Sequence, residues 1–402
     1  MARFSFQILA EEGRARTGRI LTPHGSIETP AYIPVATRGA VKSLSPLDLA
    51  GLSIQALITN AYHLHLHPGI DLIHHMGGLH RFMGWEKPLL IDSGGFQVLS
   101  LGLAKEKGGG KVSALSSEKG ERKRVYGAKP GKSLIRVSED GVEFISYRDG
   151  SRHCFTPEQV VQSGQDLGAD IIMVLDECTS PFHNFEETQA AMERTHRWAE
   201  RSLAKFPNPS SQGQALFGIV QGGAFQELRE TSARFLAKHP FNGFAIGGFL
   251  GSSKREMIQV LNWTIPHLPR AKPRHFLGIG MVEDIFEMVA QGIDFFDCVA
   301  PTRLAATGTF LVKNKPHFRL RILNEAFKND PRPIAEDCPC PTCRGHSRAF
   351  LRHLFLTKEP LAVHLAAVHN LYFMESLMAE IRRTVAQGKF ESFKNNWLAE
   401  EK

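Results

Sequence analysis

No stretch of this chain approaches the roughly 18 consecutive apolar residues that mark a membrane-spanning helix. The opening segment, MARFSFQILAEEGRARTG, carries glutamates and arginines where a secretory leader needs an apolar core. No strand–GxGxxG–helix unit occurs, and an isolated GIGM at 278–281 is too short to stand for one. Cysteine is sparse: Cys154, Cys178 and Cys298 are scattered, and Cys338, Cys340 and Cys343 are crowded together. That is a poor disulfide framework. These absences argue against a membrane-embedded protein, a dinucleotide-binding Rossmann enzyme and a disulfide scaffold. The expectation is a soluble, cytoplasmic protein with no membrane partner.

What is present is ordinary globular material, 42% hydrophobic and 22% charged over 402 residues. That length suits one large α/β barrel with attachments or two to three smaller domains. The net charge of +7 is unevenly placed. Residues 102–132 hold nine Lys/Arg and three Glu, a balance of +6, which leaves the rest of the chain near neutrality. Rich in glycine, serine and lysine, this segment reads as a long mobile surface insertion. A basic loop of this kind suits a phosphate backbone, although runs of charge are often only solvated.

Along the chain, GRILTPHGSIETPAYIPV (18–35) alternates like an antiparallel hairpin. A second hairpin is expected at 141–156, turning at Asp149-Gly150. Around and after these, short apolar runs end in a polar residue or glycine. They are AYIPV (31–35), QALITNAYH (55–63), PLLIDSGG (88–95), DIIMVLDE (170–177), ALFGIVQGG (215–223), GFAIGG (243–248), RHFLGIG (274–280) and DFFDCVAPTR (294–303). Amphipathic helical stretches follow several of them, at 156–168, 186–206, 224–239, 254–265 and 282–292. Continuous apolar strands alternating with helices argue a parallel sheet covered on both faces, and about eight strands suit a (β/α)8 TIM barrel. An open doubly wound sheet is the alternative. The expected division is a barrel over 1–330, with the hairpin and the basic insertion, and a zinc-binding helical subdomain over 331–402.

In such barrels function sits at the carboxyl ends of the strands, where this chain places Asp92, Asp176, Gln221, Gly247-Gly248, Gly278 and Asp297. Asp297 is the most conspicuous, an acid directly behind Phe295 and Phe296, where a buried carboxylate is costly unless paired. Asp294, three residues earlier, reads as a strand-start turn residue on the opposite face. Gln221, before two glycines, offers a carboxamide that both donates and accepts, as a planar heterocycle requires. Paired acids at strand ends are equipment for substitution at a glycosidic carbon with retention. The three crowded thiols among prolines point to a zinc site lacking one ligand. His346, His353, His364 and His369 are all candidates for it.

Several stretches together resemble the tRNA-guanine transglycosylases (queuine tRNA-ribosyltransferases) of the bacterial type, over nearly the whole chain. They are NAYHLHLHPG, IDSGGFQVLSL, DGSRH, GADIIMVLDECT, ALFGIVQGG, AIGG, FDCVAPTR, CPCPTC, RAFLRHL and HNLYF. The resemblance implies a (β/α)8 barrel with a zinc subdomain near its C-terminus, commonly as a homodimer. It implies that Asp297 is the nucleophile at ribose C1′ and Asp92 the general acid/base. Asp176, Gln221 and the Gly248 backbone would read the purine edge, with Ser93 and Phe96 lining the pocket. Arg303 would grip the anticodon loop. Cys338, Cys340, Cys343 and His369 would hold one structural zinc ion. The implied reaction exchanges guanine at the wobble position of tRNAs with GUN anticodons for a 7-deazaguanine, either a queuine precursor or queuine.

Departures from the family pattern are Gly251, where a pocket-closing valine is usual, and Ala306, where a second arginine is usual. The first raises the expectation that queuine itself is accepted, while Cys178 keeps the character of enzymes using the aminomethyl precursor. The rival readings are a non-catalytic RNA-binding partner subunit, a glycoside hydrolase barrel and a D-arm-modifying relative with extra RNA-binding domains.

Overall fold

The computed structural model describes residues 3–98, 135–146, 148–207 and 213–399; the basic segment 102–132 lies outside them. Eight short parallel strands build the centre: β1 (Ala31–Pro34), β2 (Leu57–Asn60), β3 (Leu89–Asp92), β4 (Ile171–Met173), β5 (Ala215–Val220), β6 (Gly243–Ile246), β7 (Arg274–Phe276) and β8 (Phe295–Cys298). Each pairs with its neighbours in chain order, and β8 returns to β1 with Asp297 opposite Ile33. A parallel bridge from Val35 to Ile58 joins β1 to β2 and closes the ring. All eight expected strands are these strands, and the open doubly wound sheet is set aside.

The strands are mostly apolar because both faces are covered. Leu89, Leu90, Ile172, Met173, Leu216, Phe217, Ala245, Ile246 and Phe276 have essentially no exposed surface. Phe217 of β5 meets Phe295 of β8 across the interior at a centroid distance of 6.0 Å, and Phe4 packs edge-on against Phe217 at 5.9 Å. The amino-terminal half of the barrel is therefore filled with rings. The convergent carboxylates Asp92, Asp176 and Asp297 lie at the carboxyl end.

The expected helices form at Pro157–Asp166, Phe185–Lys205, Gln226–Ala237, Lys254–Thr264 and Val282–Ala290. Two start at capping boxes, Thr156 with Gln159 and Asn184 with Glu187, which satisfy backbone donors left open at the first turn.

The N-terminal hairpin, Ala15–Thr22 with Gly25–Thr29, gains a third strand, Ser5–Glu12. Asp294 differs from its expected role as a turn residue. It is fully buried and accepts from Arg16 Nε at 2.9 Å, Arg16 Nη2 at 2.5 Å and the Arg274 amide at 2.7 Å. It thereby fastens this sheet to the barrel. A buried carboxylate needs such a full set of donors, and none of them is near it in sequence apart from the strand next door. The second hairpin, Val142–Ile145 with Arg152–Phe155, also carries an extra strand, Ile135–Val137.

Beyond β8, helices Pro341–Gly345, Arg348–Leu356, Pro360–Ala386 and Phe390–Ala399 follow a small antiparallel pair, Thr309–Leu311 with Arg319–Arg321. Helix Pro360–Ala386 buries Ala366, Leu371, Met374, Met378 and Ile381 in the same hydrophobic core as the barrel strands. Among the described residues no helix is long and apolar enough to cross a membrane.

Candidate active site and metal centre

Three carboxylates converge at the carboxyl end of the barrel: Asp92 from the end of β3, Asp176 just past β4, and Asp297 in β8. Asp92 is in register with Asn60 on β2, whose Nδ2 donates to Asp92 Oδ2 at 2.7 Å. Burial pushes the Asp92 carboxyl up to about 7, the negative charges of Asp176 and Asp297 adding to it. A carboxyl titrating near neutrality can both give and take a proton there.

Asp297 answers the question of its own cost. Its Oδ1 accepts from His275 Nε2 at 2.9 Å and from the Gly278 amide at 3.2 Å. Because both bonds fall on Oδ1, the other oxygen is the one free to approach a substrate. The imidazole is fully buried and leans on Phe295 at a centroid distance of 4.5 Å. Its Nδ1 has no hydrogen-bond partner among the described residues. A neutral ring with its hydrogen on Nε2 fits this geometry.

Asp176 is buried and its carboxyl is raised, chiefly by desolvation. Its Oδ2 accepts from Gln221 Nε2 at 2.6 Å and from the Cys178 thiol at 3.1 Å, while Ser93 Oγ donates to Oδ1 at 3.3 Å. Gln221 Oε1 is buried without a partner among the described residues. A buried carboxamide oxygen of this kind calls for a donor from outside the protein. Gly248 sits directly against it: at a φ of +78° a Cβ there would lie 2.2 Å from Gln221 Oε1. Glycine is required by that approach.

Of the remaining sequence expectations, Ser93 lies in this cluster, and Phe96 follows it with its ring substantially exposed at the mouth. Arg303 stands exposed on helix Ala300–Ala305, immediately after β8, and Ala306 is exposed beside it. Gly251 takes a φ of +97°, and a Cβ there would meet Glu256 Cβ at 2.4 Å. Its missing side chain faces helix Lys254–Thr264, so close helix packing is a reason for the glycine. His275 and Asn60 escaped the sequence reading. Asn60 had a signal, a polar residue ending an apolar strand; His275, the second residue of its strand, had none.

The second cluster is remote in character. Cys338, Cys340, Cys343 and His369 bring one donor atom each within 4.8 Å of one another. His369 Nδ1 lies 3.9, 3.5 and 3.3 Å from the three sulfurs in chain order. Its Nε2 donates to the Leu311 carbonyl at 2.8 Å, which leaves Nδ1 with its lone pair toward the thiols. These four residues suit a closed metal site. The long helix, which carries His369, selects it from the four candidate histidines. A third group, His24, His80 and Asp170, lies at the opposite end of the barrel. There the two imidazoles stack at 3.6 Å; His24 Nδ1 donates to Asp170 Oδ1 at 2.9 Å, and His80 Nε2, bonded to the Lys87 carbonyl at 3.2 Å, lies 3.4 Å from Asp170 Oδ2.

Residues 11–402 match the profile of the family described as Queuine tRNA-ribosyltransferase. The chain is 44% identical over 410 residues to a queuine tRNA-ribosyltransferase of Roseiflexus sp., covering 98% of each chain. It is 44% identical over 403 residues to a putative queuine tRNA-ribosyltransferase of Archaeoglobus fulgidus, again covering 98% of each. A queuine tRNA-ribosyltransferase of Herpetosiphon aurantiacus is 44% identical over 400 residues, with 99% of this chain and 93% of that one covered.

Proposed function

Because the chain belongs to the queuine tRNA-ribosyltransferase family, we propose that its acids carry out base exchange in tRNA by double displacement. The enzyme is a glycosyltransferase that replaces guanine in tRNA. At the finer level, the substrate is a tRNA with a GUN anticodon, and the wobble guanosine is the nucleotide exchanged.

The target nucleotide leaves the stack and enters the mouth of the barrel. Asp297 Oδ2 attacks ribose C1′ as the bond from C1′ to guanine N9 breaks, and Asp92 gives its proton to the departing base. The RNA is then held as an ester of Asp297. A 7-deazaguanine takes the place of guanine and gives its N9 proton to Asp92. It attacks C1′ and releases the Asp297 carboxylate. Two inversions give net retention, and no other energy source is needed. His275 Nε2–H and the Gly278 amide hold the nucleophile's other oxygen. Asp176, Gln221 and the Gly248 backbone read the purine edge, Ser93 and Phe96 line the pocket, and Arg303 holds the anticodon loop. Zinc is the metal suited to three thiolates and a neutral imidazole, and there it serves structure alone. A homodimer in the cytoplasm is the expected setting.

One observation carries this reading: Asp92 and Asp297 stand together at the carboxyl end of the barrel, Asp92 held by Asn60 and Asp297 by His275 and the Gly278 amide, near enough that the Asp297 charge helps to raise the Asp92 carboxyl. It disfavours the non-catalytic partner subunit. With Gly251 explained by packing, the smaller aminomethyl precursor is the preferred incoming base. Labelled-guanine exchange into a GUN-anticodon tRNA tests the assignment. The native protein should exchange and form an RNA–protein adduct that survives denaturing electrophoresis, and Asp297→Ala should do neither. Exchange persisting in that variant would remove Asp297 as nucleophile, and equal use of queuine would overturn the choice of base.

A further inference from the structure

Arg229, on helix Gln226–Ala237, is fully buried, and among the described residues its hydrogen bonds go to no carboxylate. Its guanidinium is spent on backbone carbonyls. Nε donates to Gly223 at 2.7 Å and Nη1 to Val220 at 2.9 Å. Nη2 donates to Gly247 at 2.9 Å and to Phe249 at 3.0 Å. Burial lowers the group to about 9, so it is still a cation at neutral pH. Of the four carbonyls, Val220 ends β5 and Gly223 lies in the loop after it, while Gly247 and Phe249 lie in the loop after β6. Those loops flank Gln221 and contain Gly248.

The consequence follows from the planarity of the peptide bond. In a trans peptide the C=O of one residue and the N–H of the next point in opposite directions. With the Gly247 carbonyl fixed on Arg229, the Gly248 N–H must face away from the guanidinium. A Cβ on Gly248 would lie 2.2 Å from Gln221 Oε1, so no side chain fits there with both groups in place. A glycine at φ +78° has no Cβ to hold its flanking peptides in one orientation, so some other group must do so.

Resting on the base-exchange reading, we infer that Arg229 is the positioning residue of the base site, fixing the 247–248 peptide so that the Gly248 N–H is presented to the exocyclic oxygen of a guanine-like base. It touches no reacting atom. Its planar fork reaches both loops at once, which a lysine's single ammonium does not reproduce.

The test compares guanine with 2-aminopurine, which lacks that oxygen, as competitors of labelled-guanine exchange, in the native enzyme and in Arg229→Lys and Arg229→Gln. The native enzyme should prefer guanine by about tenfold or more, as a site built around a hydrogen bond rejects the analogue lacking the acceptor. In both variants the preference should shrink severalfold and KM for guanine should rise, while KM for tRNA changes little. An unchanged guanine preference in folded variants would overturn the inference, as would equal loss toward base and tRNA. Should neither variant fold, the native enzyme decides: equal affinity for the two bases would refute a presented N–H. Lack of any guanine exchange by the native protein would instead strike the base-exchange reading itself.

Discussion

At the residue scale, the site is a problem of three carboxylates sharing one poorly solvated space. The molecule leaves them unequal. Asp297 receives an imidazole and an amide on one oxygen. Asp176 receives an amide, a thiol and a hydroxyl. Asp92, although it is bonded to Asn60 and the Gly94 backbone, is pushed up to about 7 from the ordinary 3.8 by burial and by the charges of Asp176 and Asp297. The sign of the linkage is then fixed. A carboxyl raised in the folded state binds its proton more tightly there than in the unfolded chain, so stability falls as pH rises from about 4 to about 7. Asp92→Asn should therefore abolish exchange and raise the melting temperature by several degrees at pH 8, with little gain at pH 4. Thermal unfolding of the two proteins across that range checks it; a variant less stable than native at pH 8 would show that Asp92 is not strained there.

At the element scale, the barrel is held shut at its amino-terminal end by contacts between segments far apart in sequence. The turn of the N-terminal hairpin places His24 over His80; His24 donates to Asp170 at the entrance to β4, and His80 lies within ion-pair distance of the same carboxylate. Asp170 also accepts from the Leu89 amide at 2.8 Å. His24 is raised by its hydrogen bond to Asp170, against the lowering effect of burial. Asp170 is held well below the usual carboxylate range by its His24, His80 and Leu89 donors, although burial opposes them. The His24 contribution is full below its unfolded value near 6.5 and fades as pH rises through the higher folded value. The Asp170 contribution is present above about 4 and is lost as pH falls through its depressed folded value. The clamp is therefore strongest between roughly pH 4 and 6.5. His24→Ala should lower the melting temperature more at pH 6 than at pH 8.5; an equal loss at both would reduce His24 to packing alone.

At the scale of the whole molecule, charge is segregated. Of the +7 on the chain, +6 lies in residues 102–132 by residue count, and subtraction leaves +1 for the remainder. A polyanionic substrate releases counterions in proportion to the phosphates a protein neutralises. Deleting 102–132 should weaken tRNA binding and flatten its dependence on salt concentration, with KM for the free base unchanged. Unchanged tRNA affinity and salt slope would make the segment a bystander.

The sequence by itself determined the alternation of apolar runs and helices, because strand length, hydrophobic period and capping residues act over a few neighbours. It likewise marked Asp92, Asp176, Gln221 and Asp297, since a polar residue ending an apolar strand stands out without any coordinates. What it could not contain was partnership. His275 reaches Asp297 from the neighbouring strand, Arg229 reaches back from a helix to two loops, and Arg16 crosses 278 positions to Asp294. Spacing alone left His369 one histidine among four, and only the family resemblance favoured it; the long helix brings its Nδ1 to the three sulfurs. Gly251 looked like an open pocket until Glu256 proved to fill the space beside it. Local pattern is written into neighbouring residues, whereas the donor that makes a buried acid tolerable is chosen only when closure of the barrel brings distant strands side by side.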